Sequence, residues 1–228
     1  RAPHSFEGPI RDTLDYKDED WPDIEKAHAA KITLLDQQIG RLINKLKELD
    51  ELDNTLILFT SDNGPHFADR GHELEFFNSN GNLKGGKRDL YEGGIRIPTI
   101  IFYPKNPGKG QQIDIPISTI DYLPTAMEIA GIPNDLDNIE GESLLPLLKG
   151  EDAKSIENRA LYWHFPHYYY AVKPVSSIRE GSWKLLEYLE DGHIELYNLS
   201  DDLEEKHNLA DTEPLKTNKL LNKLRNWK

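Results

Sequence analysis

The feature that most constrains the fold of this chain is an uninterrupted apolar run that follows a long amphipathic segment. Apolar residues recur at helical spacing over residues 24–49, which predicts an amphipathic helix. Residues 55–60 then contain four apolar side chains in succession, without the alternation of a half-exposed strand. Such a run is typical of a strand buried on both faces, as in a parallel sheet. A helix followed by a buried strand predicts an α/β domain.

The pattern changes near residue 150, where short strand-like segments replace the helix-and-strand pattern. Before this point we expect a second strand over residues 97–103 and a helix over 118–129, with Pro124 in its first turn or at a kink. After it, an Asp-Gly turn signal joins the last two of several short strands. We therefore predict part of an α/β sheet domain over residues 1–152 and a small antiparallel sheet with a C-terminal helix over residues 153–228. The predicted strands of the second part are 161–163, 177–179, 183–189 and 194–199, and its helix is 214–227.

Charge and composition exclude several functional classes. The chain carries 40 acidic and 27 basic residues, a net charge of −13, which argues against binding to a nucleic-acid backbone. Its longest apolar run is far too short to cross a bilayer. It contains no cysteine, so it offers no disulfide, thiolate metal site or cysteine nucleophile of its own.

The first candidate site follows the predicted buried strand, in the sequence Ser-Asp-Asn-Gly-Pro-His of residues 61–66. Ligands of open α/β sheets bind beyond the carboxyl ends of the strands. Asp62 and Asn63 offer hard oxygen ligands there, which suit Ca²⁺ or Mg²⁺ better than zinc. Asp-Asn-Gly is also a common turn sequence, and taken alone this tripeptide favours a simple turn over a metal site.

The second candidate site is a glycine-rich stretch over residues 85–98, with Lys87 between two glycine pairs. Paired glycines let a backbone approach a ligand closely. Residues 62–96 hold five basic against six acidic residues, so this segment carries only −1 of the net −13. That balance suits an anionic ligand, although the pattern is not a phosphate-binding P-loop. Taken alone, the stretch is also compatible with a glycine-rich surface loop and a solvated lysine.

The combination of motifs resembles the type I sulfatase family of the alkaline-phosphatase-like superfamily. A strand ending in S-D-N-G precedes G-G-K-x-x-x-Y-E-G-G-x-R-x-P, and both are similar to family motifs. Residues 121–125 resemble its D-x-x-P-T helix, and residues 141–148 its G-x-S-L-x-P-L-L segment. Residues 178–185, 195–199 and 208–210 resemble its C-terminal meander. The resemblance covers nearly the whole chain in order, and implies the C-terminal part of an alkaline-phosphatase-like α/β domain followed by a small sheet subdomain.

The resemblance implies roles for four residues. Asp62 and Asn63 fall on the second pair of ligands for a divalent cation, Ca²⁺ or Mg²⁺. Lys87 falls on the lysine that contacts a sulfate oxygen and offsets developing negative charge. His4 falls on a histidine that contacts the sulfate, although Ser5 and the residues after it replace an early proline of the family pattern. An ordinary exposed loop histidine is the alternative interpretation of His4.

Three further histidines are candidates for contacts to the sugar side of a substrate. His66 follows the two metal-ligand candidates, and His164 and His167 lie in an aromatic segment. Histidines and aromatic rings suit hydroxyl contacts and stacking on a sugar ring, and packing of the small sheet is the alternative for His164 and His167. Other motif residues are expected to hold the loop rather than to touch sulfate: Arg88, Tyr91, Glu92 and Arg96.

One departure from the family is as informative as the matches. Sulfatases attack sulfur with a formylglycine made from Cys or Ser in C/S-x-P/A-x-R, and no such pattern occurs in this sequence. The resemblance therefore implies a nucleophile supplied by residues upstream of Arg1, and we expect this chain alone to be inactive. We also expect it to associate through an exposed sheet edge. The expected location is periplasmic or secreted.

The function implied for the complete protein is hydrolysis of a sulfuric ester, on a sulfated carbohydrate or an aryl sulfate. No nucleic-acid partner and no membrane span are expected. One alternative is another enzyme of the superfamily, a phosphodiesterase or phosphonate hydrolase. A second alternative, from a different class, is a non-catalytic domain that binds sulfated glycan without cleaving it.

Overall fold

A computed structural model describes residues 14–66, 73–105, 110–133, 138–169 and 172–228. His4 lies outside these residues. The long helix α1 spans Asp23–Glu48, close to the predicted 24–49. Pro22 precedes it, and Asp23 and Glu25 in the first turn complement the positive end of the helix dipole. Among the described residues, no helix combines the length and hydropathy needed to span a membrane.

The strand after α1 pairs in the opposite direction from the one expected. Strand β1 (Ile57–Thr60) is antiparallel to β2 (Thr99–Phe102), so the prediction of a parallel arrangement is wrong for this pair. An apolar run reports burial and not strand direction. A parallel return needs a long crossover, usually a helix. The only helix described between these strands is the single turn α2 (Glu92–Ile95).

Burial of these two strands is also less complete than the apolar run predicts. Phe59 of β1 is 37% exposed, and Ile100 and Phe102 of β2 are 64% and 40% exposed. The strands therefore have apolar surface that the described residues leave open to solvent.

The segment after β2 forms short helices. A 3₁₀ turn over Thr119–Asp121 leads into α3 (Tyr122–Ile129), with Pro124 in its first turn, as predicted. Two short helices were not predicted, α4 (Leu145–Lys149) and α5 (Lys154–Asn158). They share one apolar cluster across the expected boundary at residue 152, and that boundary stays a prediction. The buried members of the cluster are Leu144, Leu147, Ala153 and Ile156.

The C-terminal sheet is antiparallel, as predicted, with strands in sequence order. Its strands are β3 (Ala160–Phe165), β4 (Val175–Glu180), β5 (Trp183–Tyr188) and β6 (Ile194–Asn198). The turn between the last two contains Gly192 at φ +73°, inside the predicted Glu-Asp-Gly segment. Glycine adopts this left-handed conformation without the steric cost that a Cβ imposes.

Both faces of this sheet are covered. One face packs against a helix, and the other packs against the glycine-rich loop that contains the second candidate site. Helix α6 (Pro214–Trp227) packs on one face, where Leu220 and Leu224 join a fully buried cluster. On the other face, Leu90 from the glycine-rich loop packs with Leu186 and Tyr197. The glycine-rich loop therefore rests directly on the C-terminal sheet.

Candidate functional site

The loop after β1 is shaped by its own polar side chains. The Ser61 hydroxyl donates to the Asn63 carbonyl at 2.8 Å, and Asn63 Nδ2 donates to the Gly64 carbonyl at 2.9 Å. With the amide nitrogen used in this way, Oδ1 is the Asn63 side-chain atom suited to a cation. Asp62 lies between these residues with its side chain exposed.

Two backbone hydrogen bonds join this loop to the glycine-rich loop. The Gly64 N–H donates to the Gly94 carbonyl at 2.9 Å, and the Lys87 N–H donates to the Pro65 carbonyl at 2.7 Å. A Cβ added to Gly64 would lie 1.9 Å from the Gly93 carbonyl oxygen, so only glycine fits at this crossing. The two motifs, separated in sequence, therefore form one structural unit.

The glycine-rich loop holds its shape through Asp89 and a strained Arg88. Asp89 Oδ2 accepts from the Gly86 N–H at 3.0 Å, and burial raises the pKa of the Asp89 carboxyl. Arg88 has φ +88°, a left-handed value that costs a non-glycine residue about 1–3 kcal/mol. Its guanidinium carbon lies 3.9 Å from the centroid of the Tyr169 ring, a cation–π contact that helps to offset this strain.

Asp62, Asn63 and Lys87 line one cleft of about 880 Å³, together with Arg88. This volume lies within the usual range for small-ligand pockets. Apolar walls come from β2, residues 113–119, α4 and β3, and charged side chains line the cleft as well, among them Asp89, Glu92, Arg96 and Arg179. The structure thus brings together three of the residues predicted from sequence, with a lysine beside two oxygen donors.

The three predicted sugar-side histidines do not line this cleft. His66 lies in the loop after β1 but is not among the lining residues. His164 is exposed, with Nδ1 at 2.8 Å from the Ser176 hydroxyl, and His167 is exposed with its ring edge-on to Phe165 at 5.5 Å. The cleft is lined instead by Trp163 and Phe165.

The alternation of β3 explains why aromatic residues rather than His164 reach the cleft. Successive side chains of a strand point to opposite faces, so His164 lies opposite its two neighbours. The sequence contained this signal, since Trp163 and Phe165 share one strand face with period two.

Asp62 and Asn63 offer the oxygen donors that a hard divalent cation prefers, but two residues are fewer than such a cation needs. Ca²⁺ takes six to eight oxygen ligands. Over the described ranges, no group of three or more His, Cys, Asp or Glu side chains is placed to hold a metal. The described residues therefore do not form a complete cation site, and the roles of Asp62 and Asn63 as ligands stay predictions.

Glu92 also lines the cleft and lies in a buried network of cations. Its carboxylate is 2.7 Å from Arg96 Nε, 3.0 Å from Lys184 Nζ and 3.4 Å from an Arg179 nitrogen, and the side chain is 1% exposed. Burial by itself would raise the pKa of Glu92, but the three cations outweigh it, so the pKa is lowered. Glu92 and Arg96 thus pair with each other within the loop, and both also line the cleft, so their expected role in holding the loop stays a prediction.

The remaining motif residues have structural contacts. Arg159 binds both carboxylate oxygens of Asp121, which also accepts from the Ser118 and Glu142 backbones at 2.8 and 3.0 Å. The Thr125 hydroxyl donates to the Asp121 carbonyl at 2.6 Å. The D-x-x-P-T and G-x-S-L segments therefore meet each other and do not form part of the polar end of the cleft.

Two family profiles match the chain over most of its length. One, described as Sulfatase, matches residues 2–132. The other, described as N-sulphoglucosamine sulphohydrolase, C-terminal, matches residues 85–227. The two overlap across the glycine-rich loop that carries Lys87.

Individual relatives cover the chain but are much longer than it. The human steryl-sulfatase is 38% identical over 152 residues, covering 66% of this chain and 26% of the relative. An N-acetylglucosamine-6-O-sulfatase of Bacteroides thetaiotaomicron is 33% identical over 186 residues, covering 80% of this chain and 31% of the relative. The chain thus spans about a third or less of these relatives.

Solved structures share the fold at similar coverage. A protein in complex with its substrate D-glucosamine-2-N,6-O-disulfate matches with a TM-score of 0.72 and 29% identity, over 90% of this chain and 40% of that one. The phosphonate monoester hydrolase of Agrobacterium radiobacter matches with a TM-score of 0.66 and 25% identity, over 91% of this chain and 42% of that one.

Proposed function

This chain belongs to the sulfatase family, and we propose that it forms part of an enzyme that hydrolyses sulfate esters on a sulfated glycan. The observation that carries the proposal is the cleft in which Lys87 lies with Asp62 and Asn63 on two hydrogen-bonded loops. The glycan substrate is supported by the names of the N-acetylglucosamine-6-O-sulfatase relative and of the disulfated glucosamine complex.

In this proposal Lys87 binds a sulfate oxygen and offsets charge that develops on the sulfuryl group. A compact ammonium acts as a point charge, and it lies here in a cleft that excludes part of the solvent. Asp62 and Asn63 would hold a Ca²⁺ or Mg²⁺ ion together with ligands beyond the described residues. When bound, such an ion polarises the ester oxygen and neutralises charge.

The aromatic wall of the cleft suits the sugar. Trp163 and Phe165 offer flat apolar surfaces beside the polar end, and aromatic rings combine a large contact area with a defined geometry. None of His66, His164 and His167 lines the cleft, and their contacts to a sugar stay predictions.

The nucleophile is proposed to come from outside these 228 residues, which contain no cysteine and no Ser in the C/S-x-P/A-x-R pattern. The chain alone is therefore expected to release no 4-nitrophenol from 4-nitrophenyl sulfate. Turnover by the purified chain that survives removal of contaminants would contradict this expectation.

Binding tests the assignment of Lys87 without requiring turnover. We expect glucosamine 6-sulfate to bind in isothermal titration calorimetry with higher affinity than glucosamine. Lys87→Met should lower this affinity about tenfold or more, because a hydrogen bond to a charged group contributes about 1.5–3 kcal/mol. Lys149→Met is the matched control, since Lys149 is exposed and does not line the cleft.

Three results would contradict the proposal. Equal affinity for the sulfated and unsulfated sugars would exclude a sulfate site at Lys87. Preferential binding of a phenylphosphonate monoester over the sulfated sugar would favour a phosphonate hydrolase, the activity named for one of the structural relatives. Sulfated-glycan binding in a longer protein without the formylglycine pattern would favour a non-catalytic binding domain.

A further inference from the structure

The loop that carries Lys87 is attached to the C-terminal sheet on its N-terminal side. Lys84 Nζ donates to the Tyr197 hydroxyl and to the Glu205 backbone carbonyl, both at 3.2 Å. The same ammonium lies 3.9 Å from the centroid of the Tyr91 ring. Lys84 is three residues before Lys87. These hydrogen bonds therefore attach the chain to the C-terminal sheet just before it reaches the cleft.

The C-terminal side of the loop is attached to the same residue. The Glu92 N–H donates to Glu205 Oε2 at 2.6 Å, and Glu205 Oε1 pairs with Lys184 Nζ at 2.8 Å. Lys184 in turn contacts Glu92 Oε1 at 3.0 Å. Two carboxylates thus share one fully buried ammonium, and Glu205 contacts both ends of the loop.

Glu205 itself is built into the fold in an unusual way. Its side chain is fully buried, and its backbone has φ +53°, a left-handed value in a residue that is not glycine. Such a conformation persists where surrounding contacts determine it. Its backbone carbonyl faces Lys84, while its carboxylate faces Glu92 and Lys184, so both polar groups are used for the loop.

We propose that Glu205 is a positioning residue that fixes both ends of the glycine-rich loop and thereby sets the location of Lys87 in the cleft. An effect of Glu205 on sulfate binding rests on the proposed function of Lys87. An effect of Glu205 on the position of the loop does not depend on that function. The C-terminal subdomain thereby contributes to the site, although Glu205 lies outside the cleft lining.

Hydrogen–deuterium exchange of the 228-residue chain tests this role. In Glu205→Gln, the amide side chain can still accept from the Glu92 N–H, but the charge that pairs with Lys184 is lost. We expect amides of residues 86–94 to exchange about tenfold faster or more, while α1 and α6 keep their rates. Glu204→Gln is the matched control, because Glu204 pairs with Lys206 at the surface.

A second variant separates the two anchors. Tyr197→Phe removes the hydroxyl that accepts from Lys84 and keeps the packed ring, so faster exchange should be confined to residues near 84–87. Glu205→Asp keeps the charge and should restore part of the protection lost in Glu205→Gln. If Glu205→Gln does not fold, Glu205→Asp decides, because its shorter side chain weakens the contacts to the Glu92 N–H and Lys184, and unchanged exchange over residues 86–94 would contradict the role of Glu205.

The pattern of exchange distinguishes a positioning role for Glu205 from a general contribution to stability. Uniformly faster exchange in Glu205→Gln would indicate a general loss of stability and overturn the proposal, as would an unchanged loop. A loosened loop in Glu205→Gln, combined with normal sugar binding in Lys87→Met, would support positioning by Glu205 and overturn the proposed function of the lysine. The two proposals therefore fail independently.

Discussion

The two sheets of this chain are stabilised in different ways. In the C-terminal sheet, Ile178, Leu185 and Leu196 have no exposed surface and pack under α6. In the two-stranded sheet, Ile100 and Phe102 remain 64% and 40% exposed. The C-terminal sheet therefore has a core of its own, whereas β2 of the two-stranded sheet leaves apolar surface exposed among the described residues.

Polar contacts add to the apolar packing of Leu90 in holding the region around the site. Gly64 is held by the Gly94 carbonyl, and the buried Asp121 is held by Arg159, which precedes the first strand of the C-terminal sheet. A broken polar contact leaves a buried partner unsatisfied, so its removal costs more than the contact contributes. The site is thus positioned mainly by groups that reach into the C-terminal half of the chain.

The largest effect is expected when the contact between the two halves is broken. Arg159→Met leaves the fully buried Asp121 carboxylate without its bidentate partner and should lower the free energy of unfolding by about 3–5 kcal/mol. Urea denaturation followed by tryptophan fluorescence measures this change. Lys154→Met is the control, because its pair with Asp152 is 75% and 65% exposed and should contribute less than about 1 kcal/mol. An equal loss of unfolding free energy in Arg159→Met and Lys154→Met would show that the contact between Arg159 and Asp121 does not stabilise the fold.

The next effect compares the apolar residues of the two sheets directly. Leu185→Ala should cost about 2–5 kcal/mol because it opens a cavity in a fully buried cluster. Ile100→Ala removes a side chain that is 64% exposed, so its effect should stay within about 0.5 kcal/mol. A cost for Ile100→Ala that approaches that of Leu185→Ala would show that the β2 surface is covered in solution, for example by association of chains.

Elements with strong local signals could be predicted from the sequence. Helix α1 follows from apolar spacing after Pro22, and α6 starts at Pro214, which is pre-shaped for a first helical turn. The C-terminal strands follow from short apolar runs separated by turn residues such as Gly192. The pairing of Asp62 and Asn63 with Lys87 followed from family motifs and not from spacing, because 24 residues separate Asn63 from Lys87.

Features that depend on long-range contacts could not be predicted. The direction of β1 against β2 is decided by the path of the segment between them, which an apolar run does not encode. The two short helices are stabilised by packing with residues distant in sequence, since five-residue helices have no stability of their own. Glu205 resembles any acidic loop residue, and only its contacts 113 residues away, at Glu92, reveal its role.

The smallest expected effect concerns the ion pairs that hold α6 on the C-terminal sheet. Hydrogen bonds from Lys219 and Lys223 hold the pKa of the Glu180 carboxyl below its usual value. For Glu187, burial acts to raise the pKa, but bonds from Lys228 and Arg225 outweigh it and the pKa is lowered. A carboxyl with a lowered folded-state pKa stabilises the fold above its unfolded pKa, and this contribution is lost as pH falls through the folded value.

Comparing Glu180→Gln with the unmodified chain across pH measures this contribution. Because both lysines are about half exposed, we expect a difference of about 0.2–1 kcal/mol in unfolding free energy near pH 7. The difference should shrink toward zero as the pH falls below the usual glutamate pKa and through the lowered folded-state pKa of Glu180. Glu48→Gln is the control, since its pair with Lys45 lies on exposed α1 surface away from the C-terminal sheet. A difference that grows in acid would have the wrong sign for a lowered pKa, whereas no difference at any pH would show that Leu220 and Leu224 hold α6 without help from the ion pairs of Glu180.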